Sequence, residues 1–232
     1  NRVRNVSVPT ERGNIYDRNG IVLAQNVPSY NVVITPAYLP TDTGTMENIF
    51  RELSAMINVP VTNGIFNDTT VKFFTPCQTD FGIKEIVIIG DTNEPFSPVR
   101  IKCNVSQEIA MSIMEKESDW PGVGIEVTQV RQYPTGNLTS EVVGFLGPIT
   151  AEDEDYYTDR GFVADRDKIG FAGIERQLND ILMGKNGERV VEVDNAGKEI
   201  RDVVAPIEPV PGANVTLTID TRLQSAARTA LI

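Results

Sequence analysis

Arg12-Gly13-Asn14-Ile15-Tyr16-Asp17-Arg18-Asn19-Gly20 sets three charged side chains among glycines and an Asn-Gly pair. Asn-Gly is the strongest short hairpin signal, because the tight turn needs φ > 0 at its central positions. Strand-like Val3–Val8 precedes the stretch, and Ile21-Val22-Leu23-Ala24 follows it. A further extended run, Tyr30-Asn31-Val32-Val33-Ile34, comes after Pro28. The first forty residues therefore read as β. Arg12, Asp17 and Arg18 belong to its loops and strand ends rather than to a free helix face. Gly13, Gly20 and, further on, Gly136 are expected to supply left-handed turns.

Beyond this start, Ile49, Phe50, Leu53, Met56 and Ile57 recur at helical spacing after Thr45, a candidate N-cap, and stop before Pro60. Residues 60–98 are the least periodic part; short strands are expected around Val71–Phe74 and Glu85–Ile89. Val99–Asn104 reads as a strand, and Ser106 caps a helix with Ile109, Ala110, Ile113 and Met114 on one face. Val123, Ile125 and Val127 alternate into a half-exposed strand running to Tyr133. A short helix near Leu138–Phe145 and an acidic one from Thr150 follow. Gly170–Met183 is expected to be one helix, with Gly184 as its C-cap. Arg189–Val193 and Glu199–Val204 read as a hairpin across Asp194-Asn195-Ala196-Gly197. Pro206, Pro209, Pro211 and Gly212 make a stiff connector to a strand at Asn214–Ile219, after which Asp220 caps a helix. Leu223, Ala227, Ala230 and Leu231 give that helix an apolar face with no partner, as expected of the first piece of a second domain.

Composition narrows the chemistry. The 232 residues carry 21 Lys+Arg against 32 Asp+Glu, a formal net charge of −11, which argues against a nucleic-acid partner. Hydrophobic residues make up 41%, enough for a core. No histidine is present, which removes Ser-His-Asp and Cys-His catalysis and histidine-ligated zinc. Glu152-Asp153-Glu154-Asp155 lacks the spacing of a calcium loop and reads as a solvated helix start. Trp120-Pro121-Gly122 reads as a turn over a covered indole. Cys77 and Cys103 suit either one bridge or two partly buried free thiols, and are expected to lie close in space. No apolar run reaches the ~18 residues of a membrane span.

Four clusters stand out in order: Arg12 to Gly20; Arg131-Gln132-Tyr133-Pro134-Thr135-Gly136; Gly170-Phe171-Ala172-Gly173-Ile174-Glu175; and Asp220-Thr221-Arg222-Leu223-Gln224. Together they resemble the N-terminal motifs of class B penicillin-binding proteins, R-G-x-x-x-D-R-x-G, R-x-Y-P-x-G, G-x-x-G-x-E and D-x-x-L-Q. The resemblance spans nearly the whole chain and is closest to the penicillin-binding protein 2 type, which acts in lateral wall elongation. It implies an α+β, elongated, multi-lobed pedestal, or dimerisation, domain over residues 1–205, with a head inserted at roughly 40–120. Residues 206–232 would be the connector and the first strand and helix of a D,D-transpeptidase domain. It also implies an extracytoplasmic location on an N-terminal transmembrane anchor, no cofactor, and self-association or contacts with a SEDS-family glycosyltransferase and scaffold proteins. In a bacterial protein the five Asn-x-Ser/Thr triplets are accidental.

The family's catalytic serine and its lysine need Ser-x-x-Lys, and none of the seven lysines has serine three positions earlier. Lys-Thr-Gly and Lys-Ser-Gly do not occur either, and a Ser-x-Asn is expected to be missing too. Thr69-Thr70-Val71-Lys72 is the nearest approach and reads as a polar strand edge. The chain is therefore expected to be non-catalytic. Some of the motif charges Arg12, Asp17, Arg18, Arg131 and Glu175 are expected to join in a partly buried ion-pair network, in which Glu175 accepts from at least one of the three arginines. The rival reading of these charges is an ordinary solvated surface; the rival reading of the function is an independent secreted adhesion or ligand-binding module, for which the Asn-x-Ser/Thr triplets and the acidic charge would be natural.

Overall fold

The computed structural model describes residues 2–64, 74–77, 80–164, 166–194 and 199–231. In chain order the strands are β1 (Arg2–Val8), β2 (Ile15–Tyr16), β3 (Val22–Ile34), β4 (Val99–Val105), β5 (Val123–Gln132), β6 (Leu146–Pro148), β7 (Lys168–Gly170), β8 (Gly187–Val193), β9 (Glu199–Asp202) and β10 (Val215–Thr216). The helices are α1 (Thr43–Ile57), α2 (Ile83–Asn93), α3 (Gln107–Glu115), α4 (Ser140–Val143), α5 (Glu154–Thr158), α6 (Gly173–Gln177), α7 (Asn179–Leu182) and α8 (Thr221–Leu231). They form two compact units. An inserted unit comprises Pro28–Thr128 with two short pieces from elsewhere; a framing unit comprises Val3–Val27, Gln129–Glu192 and Ile200–Ile232.

In the inserted unit the second half of β3 pairs antiparallel with β4, with Tyr30 opposite Val105 and Ile34 opposite Val99. Strand β3 runs through Pro28 rather than breaking there; the proline is exposed, and lies between the residues that pair with β2 and those that pair with β4. Helix α1 buries Ile49, Phe50, Leu53 and Ile57 and ends at Asn58, whose left-handed backbone (φ 52°) precedes Pro60. Its N-cap is Asp42 rather than Thr45: the Asp42 carboxylate accepts from the Thr45 amide at 2.7 Å. Glu85–Ile89 is helical, not a strand. A four-residue apolar run suits either state, and the decision comes from its neighbours. Ile83, Ile86, Val87 and Ile89 bury one face, Gly90 packs on Val99, and Ile88 is left 48% exposed. Trp120 is buried in the same core, with the Lys116 ammonium 4.6 Å from its ring centre. Of the two readings of the cysteines, the structure has the bridge, Cys77 to Cys103, with Cα atoms 5.5 Å apart. The expected strand at Val71–Phe74 and the Thr69–Lys72 stretch fall almost wholly outside the described residues.

In the framing unit β2 pairs antiparallel with the first half of β3 and parallel with β10, Ile15 lying opposite both Ala24 and Val215. Strands β6 and β7 form an antiparallel pair, and β1, β8 and β9 a three-stranded sheet in the order β1-β8-β9. The expected hairpin of residues 189–204 thus has its two strands side by side, with residues 195–198 of its turn outside the described residues. Ile15, Leu23, Ala24, Val143 and Leu182 form one core and Ile149, Phe162, Ile169 and Met183 another. Gly170–Met183 is not one helix. Residues 168–170 are strand β7, and Leu178 (φ −109°, ψ 25°) separates α6 from α7. The break leaves Ile181 exposed and turns Asn179 into the interior. Gly184 does end α7 in the left-handed region (φ 68°).

Candidate functional site

The four motifs meet in the framing unit. Glu175, in the first turn of α6, is fully buried and lies between two arginines. Arg12 Nε donates to Glu175 Oε2 at 2.7 Å and Arg131 Nε to Oε1 at 2.8 Å. Both guanidinium side chains are nearly closed to solvent, at 9% and 4% exposure. Arg12 also donates through Nη2 to the Glu175 carbonyl (2.9 Å) and through Nη1 to Asn179 Oδ1 (3.0 Å). Arg131 Nη1 donates to Asn26 Oδ1 at 3.1 Å, while Asn26 Nδ2 donates to the Arg12 carbonyl at 2.5 Å. The Tyr133 hydroxyl donates to Glu175 Oε1 at 3.4 Å.

Two buried cations share one buried anion. Desolvation lowers the Arg12 pKa from its ordinary value against the opposing pull of Glu175. Burial, and then the nearby Glu175 carboxylate, pushes the Tyr133 phenol up to about 12. Each Glu175 oxygen accepts from an arginine and the residue is fully buried, so the carboxylate is not presented to a substrate. The cluster is a fastener, joining the segments around residues 12, 26, 131 and 175–179.

The glycines of the third motif make it possible. A Cβ on Gly170 would lie 1.9 Å from the Glu175 carbonyl oxygen, and one on Gly173 (φ 59°) 2.5 Å from that of Val142. Gly170 N donates to Asn179 Oδ1, so one asparagine oxygen receives both the strand and Arg12.

A second knot surrounds Asp17, also fully buried. Its Oδ1 accepts from the amides of Asn19 (2.8 Å) and Ile21 (2.9 Å), holding the turn that Gly20 (φ 81°) completes. Its Oδ2 accepts from Thr221 Oγ1 (2.8 Å) and the Thr221 amide (3.2 Å), at the start of α8. Burial works to raise the Asp17 pKa, but these hydrogen bonds outweigh it and hold the carboxyl well below the usual aspartate range. Asp220 caps α8 through the Arg222 and Leu223 amides, and Gln224 Nε2 donates to the Leu138 carbonyl at 2.6 Å.

Not every motif residue joins in. Arg18 is exposed and makes no ion pair among the described residues; only its backbone amide is used, on the Ile219 carbonyl. Pro134 and Leu223 are exposed. Gly136 does adopt positive φ (48°). Gly13 does not supply a left-handed turn. It is needed because a Cβ there would lie 1.9 Å from the Ala213 carbonyl oxygen. One Ser-x-Asn triplet is present after all, Ser29-Tyr30-Asn31, contrary to the expected absence. It lies inside β3, where Ser29 faces Asn104 and Asn31 bonds Thr128 and the Asn104 amide, so its side chains are used up in packing. Asn26 and Asn179 are partners outside the four motifs, and Thr221 fills a variable position of the fourth. Among the described residues no group of three or more His, Cys, Asp or Glu is placed to hold a metal ion.

A mixed α/β module fastened in this way by its four motifs belongs to a recognised class. The Penicillin-binding Protein dimerisation domain family matches residues 7–217, and the chain belongs to it. Its particular likeness is to peptidoglycan D,D-transpeptidase MrdA of Escherichia coli (strain K12), 28% identical over 234 residues, covering 100% of this chain and 33% of the relative. Among solved structures it resembles the penicillin-binding protein PBP2 in its complex with MreC from Helicobacter pylori, with TM-score 0.64 and 19% identity over 99% of this chain and 38% of that one. It also resembles a chain of a peptidoglycan synthase complex that coordinates polymerisation and crosslinking, with TM-score 0.60 and 25% identity over 100% of this chain and 32% of that one. The chain thus spans about a third of the length of these relatives.

Proposed function

We propose that this chain is the non-catalytic pedestal of an extracytoplasmic peptidoglycan D,D-transpeptidase, holding the catalytic domain above the membrane and offering surfaces to its partners. Residues 1–205 form the pedestal; residues 206–232 are the connector and the opening strand and helix of the transpeptidase domain. The observation that carries this reading is the double knot: Glu175 with Arg12 and Arg131, and Asp17 with Thr221. It fixes the segment entering the module beside the segment leaving it, as a spacer between two other parts requires. It offers no free nucleophile or base, and the sequence has no Ser-x-x-Lys. A scaffold protein and a glycan-polymerising SEDS-family glycosyltransferase would fit the same role as partners; what supports this is that one related structure is a complex with MreC and another belongs to a peptidoglycan synthase complex.

The test separates acylation from work in the cell. In the full-length protein, Glu175→Gln should leave labelling by fluorescent penicillin intact while failing to restore cell shape in a strain depleted of the enzyme. The fragment of residues 1–232 should not be labelled at all. Labelling of the fragment, or full rescue by the variant at normal abundance, would overturn the reading.

A further inference from the structure

The segment at residues 10–18 and the one at residues 210–221 lie side by side over their whole length, far beyond the two residue pairs of β2 and β10. Thr10 Oγ1 donates to the Val210 carbonyl (2.8 Å), and the Gly212 amide to Glu11 (2.8 Å). Asn14 N donates to Asn214 Oδ1 (2.8 Å), the Val215 amide to Asn14 (2.9 Å) and the Leu217 amide to Tyr16 (2.8 Å). Arg18 N donates to the Ile219 carbonyl (2.9 Å), and Asp17 receives Thr221. Partner numbers rise together, so the two segments are parallel. Gly13 and Gly212 bring the backbones into contact with each other and with residue 182: a Cβ on Gly212 would lie 1.8 Å from the Leu182 carbonyl oxygen, and Gly13 N donates to that same oxygen at 2.8 Å.

Direction decides how such a pair meets load. A pull arriving at the N-terminal end of the first segment and leaving from the C-terminal end of the second drags two parallel strands past each other. All the bonds between them are then loaded at once. Had the strands been antiparallel, the same pull would act at one end and open the bonds one after another. All chain between Arg18 and Val210, the inserted unit included, lies inside the loop that this pair closes. We propose that residues 10–18 and 210–221 form a mechanical clamp, so that the protein bears tension between its ends in shear and shields everything between from that tension. The physiological meaning rests on the pedestal reading; the mechanics concerns this chain alone, and a negative result would leave the acylation test untouched.

The experiment is single-molecule stretching of the 232-residue chain in two geometries. With handles at the two ends, the clamp is sheared. With one handle moved to an Arg18→Cys side chain and the other kept at the C-terminus, both pulls act at the same end and the clamp is peeled. The main rupture is expected at distinctly higher force in the first geometry. It should be followed by release of about 550–600 Å of chain, because the Cys77–Cys103 bridge, whose ends are 26 positions apart, withholds the chain between them. A reductant should lengthen that release by on the order of 90 Å. Asp17→Asn should lower the force of the sheared geometry, whereas Leu53→Ala, a change in the core of the inserted unit, should not. Equal forces in the two geometries would overturn the proposal. So would extension of more than roughly 70 Å before the main rupture, which is all that the chain outside the clamp can provide.

Discussion

Removing the charge of Glu175 strands two guanidinium groups in a site that water hardly reaches. Breaking a buried pair by removing one partner costs about 3–5 kcal/mol, so Glu175→Gln should destabilise the framing unit by an amount of that order. Glu152→Gln, on the surface, should stay within about ±0.5 kcal/mol. Equal denaturation midpoints for the two variants would refute this. Asp17 gives a second handle through pH. Its carboxyl titrates lower in the folded chain than in the unfolded one, where the ordinary value is ~3.9. The unfolded state therefore binds more protons as pH falls, and stability from Asp17 is present above pH ~4 and lost below it. Asp17→Asn should flatten the acid limb of a stability–pH curve while leaving its slope near neutrality unchanged. The ionic half of this site was legible: the arginines and Glu175 stand in motif positions beside glycines, where free surface charges have no reason to be. Arg18 misled because its motif neighbour, Asp17, turns inward to amides and to Thr221 instead. Asn26, Asn179 and Thr221 were not legible, since short polar side chains serve caps and turns anywhere in a chain.

Elements show the same division between pattern and packing. Helix α1 was readable from its apolar spacing over fifteen residues. Helix α2 was not, because Ile86-Val87-Ile88-Ile89 alone satisfies either period, and only contacts with β4 and residues 49–57 choose between them. The segment at 170–183 kept a helical period yet split, since Gly170 and Gly173 must pass close to other backbone and Leu178 leaves helical geometry to bring Asn179 inward. Glycine thus has different meanings in different elements. Gly13→Ala and Gly212→Ala each place a methyl group within 2 Å of a carbonyl oxygen of another segment. Each should cost well above the ~1 kcal/mol typical of point substitutions and should loosen the residue 10–18 segment. Gly44→Ala, in the first turn of α1, meets nothing nearer than the Asp42 side chain at 3.4 Å and should be neutral or stabilising by up to about 1 kcal/mol. Hydrogen exchange of the Val215 and Leu217 amides would separate the cases, rising in the first two variants and unchanged in the third.

At the scale of the whole molecule, the two units hold different kinds of fastening. The framing unit has the buried ion pairs and the clamp; the inserted unit has the Cys77–Cys103 bridge. The bridge closes 26 residues of chain, for which the loop-entropy relation gives a stabilisation of about 3.5 kcal/mol. Units with separate cores need not unfold together, so a single midpoint would hide the difference. The sequence provides the probe: Trp120, the one tryptophan, is buried in the core of the inserted unit. Its fluorescence follows that unit, while far-UV circular dichroism follows both. Reductant should move the fluorescence transition to lower denaturant by the equivalent of that entropy and leave the second dichroism phase in place. Glu175→Gln should do the reverse, shifting dichroism and sparing fluorescence. Coincident shifts of both probes under either treatment would mean that the chain unfolds as one cooperative body, and the division of its fastenings would have no thermodynamic meaning.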